Sequence, residues 1–139
     1  MRAIKSKNTL AELIVRKALH AAGFRYRLHS PKLPRKPDLV LPKYRAVIFV
    51  QGCFWHQHDC SMFKMPKERE EFWRQKLGGN VHRDNAKHTK LLVQEWRIAM
   101  VWECSLKGRN RLKIEAVVST LSDWLKSDIE TLVIRERLD

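Results

Sequence analysis

Acidic residues are scarce in this 139-residue chain: 15 Asp and Glu stand against 28 Lys and Arg, leaving a formal net charge of +13. Cysteine is scarcer still. Three cysteines cannot close a complete disulfide framework, and in such a chain they read as metal ligands or buried thiols. Long apolar runs are missing, since stretches such as Ala46–Val50 fall far short of the roughly 20 residues that cross a bilayer, and no leader pattern opens the sequence. Repeats, low-complexity tracts and linkers are also missing, so residues 1–139 are expected to form one domain. A hydrophobic fraction of 44% excludes a disordered or fibrous chain, and a soluble intracellular protein is the expectation.

The basic excess points to a polyanionic partner, nucleic acid ahead of an anionic membrane. Its distribution is uneven. Residues 1–58 carry twelve Lys and Arg and only two acids, Glu12 and Asp38, whereas the remainder is close to balanced. A phosphate-binding surface is therefore expected mainly on the N-terminal half.

Hydrophobic periodicity gives a coarse order of elements. Thr9 and Glu12 form a capping box for a helix to about Ala22, with Leu13, Ile14, Ala18 and Ala21 inward and Gly23 as its stop. Phe24, Tyr26 and Leu28 alternate with Arg25, Arg27 and His29 in the manner of a half-buried strand. Two apolar runs, 38–41 and 46–50, flank Pro42–Arg45 as an antiparallel hairpin; pairing Leu41 with Ala46 sets Asp38 opposite Phe49, with its carboxylate near the backbone of Val50 and Gln51. Further on, the pattern predicts a helix from Pro66 to Leu77 closed by Gly78 and Gly79, and a second helix from Asn80 to about Glu95. A strand over 97–102, an amphipathic helix with Ile114, Val117, Val118, Leu121, Trp124 and Leu125 inward, and an edge strand within 129–135 complete an α/β fold with a mixed sheet.

Chemistry concentrates in one segment. Cys53, His58 and Cys60 lie within eight residues, and Cys104 follows the strand at 97–102. Three sulfurs and one imidazole make a closed structural zinc set that would pin the loop 52–63; the alternative is three unrelated buried cysteines and a surface histidine. His56 would be one ligand too many and is left for other chemistry.

Carboxylates repel phosphate unless they hold a cation, so Glu12 and Asp38 within the basic half suggest a Mg²⁺ site for phosphodiester cleavage, with His56 as general base or acid. Each has a structural alternative: Glu12 as the capping-box residue, Asp38 as a turn cap or ion-pair partner of Arg35 or Lys36, His56 as a packing residue or an alternative zinc ligand. His20, His29, His82 and His88 have no partner motif and read as surface or structural. Phe54 and Trp55 are adjacent large aromatics on a loop, suited to insertion between base pairs, and Trp73 could join them or simply pack in the core.

The runs Pro37–Val40, Val47–His56, His58–Cys60, Glu71–Trp73 and Val101–Cys104 resemble the very-short-patch-repair (Vsr) DNA mismatch endonucleases over nearly the whole chain, with Gly52-Cys53-Phe54-Trp55-His56 the most specific stretch. The resemblance implies a restriction-endonuclease-like α/β fold and a Mg²⁺-dependent enzyme. That enzyme nicks one strand of double-stranded DNA beside the thymine of a T:G mismatch left by 5-methylcytosine deamination. By position it makes Asp38 the metal-binding aspartate, the Val50 main-chain carbonyl a second Mg²⁺ ligand, and Glu12 and His56 further active-site residues. Cys53, His58, Cys60 and Cys104 match the structural Zn²⁺ ligands, and Phe54, Trp55 and Trp73 the intercalating aromatics. Gln51 stands where many members carry an active-site histidine, and glutamine can hydrogen-bond but not shuttle a proton. A monomer acting on cytoplasmic bacterial DNA is implied, with mismatch-repair factors as candidate partners. The competing expectations are a catalytically impaired, zinc-stabilised DNA-binding module and a less selective nuclease.

Overall fold

The computed structural model describes residues 9–33 and 36–138; the basic residues Arg2, Lys5, Lys7 and Arg35, counted above toward the phosphate-binding half, lie outside these. The fold is a mixed five-stranded sheet in the order β1-β2-β3-β4-β5, formed by Arg27–Leu28, Leu39–Leu41, Ala46–Gln51, Arg97–Trp102 and Thr131–Ile134. β1, β2 and β3 pair antiparallel; β3, β4 and β5 are parallel, as helical connections between successive strands require. Helices α1 (Leu10–Ala21) and α3 (Ile114–Leu125) pack with Leu39, Leu41, Ile48, Ala99 and Val101 on one face, and α2 (Glu70–Val93) reaches the other through Leu91 beside Val40, Val47, Phe49 and Ile98. Burial on both faces explains why β2 and β3 read as continuous apolar runs instead of alternating ones.

The hairpin has the anticipated register, Leu41 with Ala46 and Leu39 with Ile48, turned by a 3₁₀ segment at Pro42–Tyr44 and a left-handed Arg45 at φ 53°. The strand at 97–102, the final helix and the edge strand also form where the sequence places them. Thr9 caps α1 as expected, its Oγ1 accepting from the Glu12 N–H at 3.2 Å, but the Glu12 carboxylate that a full capping box would turn back to the Thr9 backbone reaches His29 and Arg16.

Three local expectations change. The buried face of α1 is Ala11, Glu12, Val15 and Leu19; Leu13, Ile14 and Ala18 are half-buried and Ala21 is exposed. The reason is Glu12, a charged residue that periodicity assigns outward but that is only 1% exposed. The strand expected over 24–29 contracts to Arg27–Leu28, both exposed, while Phe24 turns into the core beside Tyr44 with ring centroids 5.7 Å apart. The two helices expected over 66–95 are one 24-residue helix starting at Glu70, with Gly78 and Gly79 in its interior. A glycine costs about 1 kcal/mol in a helix, and packing of Leu77 and Leu91, both fully buried, outweighs that. Asn80 therefore does not cap a helix; its Nδ2 donates to the Trp55 carbonyl at 3.2 Å, tying α2 to the aromatic loop.

A Cβ at Gly78 would meet nothing within 4 Å. Gly78→Ala should accordingly stabilise the protein by about 0.5–1 kcal/mol through helix propensity alone, measured as a higher urea midpoint with an unchanged m-value.

Candidate active site

The end of β3 is where the chemistry collects. Asp38 precedes β2, and the hairpin register carries its Oδ2 to the Val50 N–H at 2.6 Å. From β1 the ladder extends by one bond, His29 N–H to the Asp38 carbonyl at 3.2 Å. That bond brings the His29 ring against two carboxylates: Nε2 lies 2.7 Å from Glu12 Oε2 and 3.9 Å from Asp38 Oδ1. Arg16, one turn along α1, reaches the same Glu12 oxygen at 3.4 Å. Glu12, His29 and Asp38 each offer a ligand atom, and the three atoms lie within 4.8 Å of one another.

The next residue, Gln51, lines a neighbouring cavity of about 230 Å³ together with His56, Asp84, His88 and Trp102. Gln51 is 4% exposed, and its Nε2 has no hydrogen-bond partner among the described residues. A buried amide donor left so is costly, by about 1–3 kcal/mol, unless a ligand or water completes it. His56 Nδ1 is engaged by the Asp84 carboxylate from α2. Two residues therefore belong here that local sequence does not reveal. His29 carries no motif and Asp84 looks like one more surface acid on a polar helix; only strand pairing and helix packing bring them in.

The second cluster is Cys53, His58, Cys60 and Cys104, again within 4.8 Å of one another and largely buried. His58 Nδ1 lies 3.7 Å from Cys53 Sγ and 3.6 Å from Cys104 Sγ. Tetrahedral zinc with Zn–S near 2.3 Å and Zn–N near 2.0–2.1 Å separates its ligand atoms by about 3.6 Å, so the set suits that ion. Burial raises the Cys53 and Cys104 thiols above their ordinary range, and the neighbouring Cys60 adds to the effect at both. A cation would relieve that penalty. Burial, with Arg135 nearby, lowers the His58 pKa and favours the neutral imidazole that ligates a metal.

Outer contacts fix the set. Trp102 stacks on His58, with rings 3.8 Å apart and 2° from parallel. The Glu136 N–H points at Cys104 Sγ at 3.4 Å, and the Glu136 carboxylate accepts from Ser61 N–H at 2.9 Å and Ser61 Oγ at 2.5 Å. Arg135 holds Asp59 through both its carboxylate and its carbonyl. The segment after β5 thus clamps the Cys/His loop from outside.

Phe54, Trp55 and Trp73 come together as the sequence suggests, at centroid separations of 5.1–6.0 Å, all half-buried, with Phe63 and Phe72 at the margins. They form one aromatic surface cluster that is continuous with the zinc-type loop and separate from the two main cores.

The family model for the DNA mismatch endonuclease Vsr matches residues 1–62. The DNA mismatch endonuclease Vsr of Escherichia coli (strain K12) is 43% identical over 125 residues, 90% of this chain and 80% of that protein. The chain belongs to the Vsr DNA mismatch endonuclease family. Other Vsr-like relatives carry nicking-enzyme names. The type II nicking enzyme V.XorIIP of Xanthomonas oryzae pv. oryzae is 44% identical over 81% of this chain and 83% of its own length, and V.NmeDIP of Neisseria meningitidis serogroup C is 39% identical over 99% and 92%. No helix among the described residues is long and apolar enough to cross a membrane.

Two outcomes follow from the Cys/His set of this Vsr-family chain. About one zinc ion per molecule should be found by elemental analysis, and stripping it with a strong chelator should lower the melting temperature and free three titratable thiols. Separately, hydrogen bonds from Ser61 hold the Glu136 carboxyl below its ordinary value of 4.5. Its contribution to stability is thus fully present above that value and lost as pH falls through the lower native one. Glu136→Gln should cost stability at neutral pH, and the difference from wild type in urea unfolding should shrink as pH drops from about 5 toward 3.

Proposed function

We propose that this chain, acting as a monomer and a single domain on bacterial DNA in the cytoplasm, nicks one strand of duplex DNA 5′ to the thymine of a T:G mismatch, in a Mg²⁺-dependent phosphodiester hydrolysis. The observation that carries the reading is the convergence of Glu12 and Asp38, the only two acids of the basic half, on one point at the end of β3. Acidic side chains gathered in a phosphate-binding region have a physical reason if they hold a divalent ion. Asp38 and the Val50 main-chain carbonyl would hold Mg²⁺, with Glu12 alongside. When bound, the ion supplies Lewis-acid neutralisation of phosphate charge and favours ionisation of the attacking water.

The remaining work falls to the chain's own groups. Asp84 fixes the orientation and tautomer of His56, accepting from Nδ1 and leaving Nε2 to exchange the proton of the attacking water or the leaving oxygen. The Gln51 amide nitrogen, buried and without a hydrogen-bond partner among the described residues, is suited to donate to a phosphate oxygen. Phe54, Trp55 and Trp73, already half exposed and packed edge to face, can exchange their mutual contacts for stacking on bases. A T:G pair unstacks at lower cost than a matched pair, which supplies selectivity. Lys and Arg of the N-terminal half supply salt-sensitive backbone affinity. Mismatch-repair factors would then meet the nicked product.

The test is a strand-resolved nicking assay on T:G and T:A duplexes with and without Mg²⁺. Expected are a nick only on the mismatched duplex with Mg²⁺, none with Asp38→Ala despite retained binding, and a rate lowered about 10²- to 10⁴-fold by His56→Ala. Binding without a nick at any Mg²⁺ concentration would instead mark a zinc-stabilised DNA-binding module. Equal cleavage of both duplexes would mark an unselective nuclease.

A further inference from the structure

His29 is held in the acidic site from two directions. Its N–H closes the last bond of the β1–β2 ladder to the Asp38 carbonyl, and its backbone takes a left-handed φ of 45°, uncommon for a residue with a side chain. Its ring then stands between the two carboxylates, 2.7 Å from Glu12 Oε2 and 3.9 Å from Asp38 Oδ1. The other Asp38 oxygen is occupied by the Val50 N–H, so Oδ1 is the one turned toward this pair. Arg16 also touches Glu12 Oε2, at 3.4 Å, and helps to fix that carboxylate.

The separations suit shared coordination. An ion with bonds of about 2.1 Å keeps adjacent ligand atoms about 3 Å apart and opposite ones about 4.2 Å apart, and the two distances from Nε2 lie near those values. We propose that His29 is a direct ligand of the divalent ion at Asp38, completing with Glu12 a one-nitrogen, two-carboxylate set that holds Mn²⁺ more tightly than Mg²⁺. Mg²⁺ favours all-oxygen surroundings and gives up water reluctantly, whereas first-row transition ions accept imidazole readily. Ligation through Nε2 places the imidazole proton on Nδ1. This inference rests on the reading that Asp38 holds a divalent ion, and adds to it the third protein ligand and the resulting ion preference.

The test uses the full-length, zinc-loaded chain with Mn²⁺ as the probe. Pulsed electron paramagnetic resonance of bound Mn²⁺ should show ¹⁴N modulation that changes to the ¹⁵N pattern when only histidine is isotopically labelled. His29→Gln should remove that modulation and weaken Mn²⁺ binding about tenfold by calorimetry, while Mg²⁺ binding changes less than threefold; His56→Gln should leave both intact. Bound Mn²⁺ without histidine modulation in the labelled wild type, or modulation and affinity unchanged in His29→Gln, overturns the proposal, and the labelling result stands even if the variant folds poorly. The nicking assay reports separately: a wild type that binds Mn²⁺ through His29 yet leaves T:G duplex intact retains this ligand assignment and defeats the proposed function.

Discussion

The 2.6 Å hydrogen bond from the Val50 N–H to the Asp38 carboxylate ties the site to the sheet. It exists because Leu41 pairs with Ala46, and a slip of one residue would turn the Asp38 side chain to the opposite face. The register is firmly specified, since Leu39, Leu41, Ala46 and Ile48 must enter one core while Val40 and Val47 enter the other. Hydrophobic burial on both faces of β2 and β3 therefore sets the position of a polar functional group. Val50 and Gln51, successive residues of β3, then serve two neighbouring clusters, the acidic one through a backbone N–H and the His56 cavity through a side chain.

Beyond Gln51 the chain leaves the sheet, and regular backbone pairing no longer supports it. The Cys/His set takes over that task at the point where it is lost. Cys53 lies two residues past β3 and Cys104 two past β4, so one ion between them would join the ends of adjacent parallel strands. Trp102 links this set to the His56 cavity, stacking flat on His58 while standing at 6.0 Å, edge to face, from His56. Phe54 and Trp55 lie between the first cysteine and His58. Their irregular backbone is thus anchored on both sides, which lets large aromatic rings remain at the surface without collapsing into a core.

Short-range patterns were legible in the sequence, and long-range partners were legible only where residue type marked them. The hairpin and its register, the strand at 97–102 and the last helix could be read from apolar spacing, and the Cys/His set from its ligand types, which reach even Cys104, 46 residues beyond His58. The buried face of α1 could not, because Glu12 sits on it and its burial depends on His29 and Arg16. The continuous α2 was hidden by Gly78 and Gly79, whose weak helix propensity is overridden by packing of Leu77 and Leu91. His29 and Asp84 were invisible for a common reason. Their partners lie 17 and 28 residues away, and nothing in their neighbours' composition marks them.

Gln51 sharpens what the remaining groups must do in the proposed reaction. A histidine there, as the family resemblance leads one to expect, could take up positive charge beside the phosphate or relay a proton; a glutamine can do neither near neutral pH. Proton transfer then falls on His56, whose ring is held in place by a mostly buried Asp84. A positioned acid–base group contributes about 10²- to 10⁴-fold, so a single competent histidine is enough for substantial catalysis. The buried Gln51 amide would still contribute by donating to developing negative charge on phosphate oxygen, an interaction that needs no titration. Replacement of histidine by glutamine therefore removes a source of pH dependence while preserving the hydrogen-bond donor, which is why the substitution alone does not argue for a disabled site.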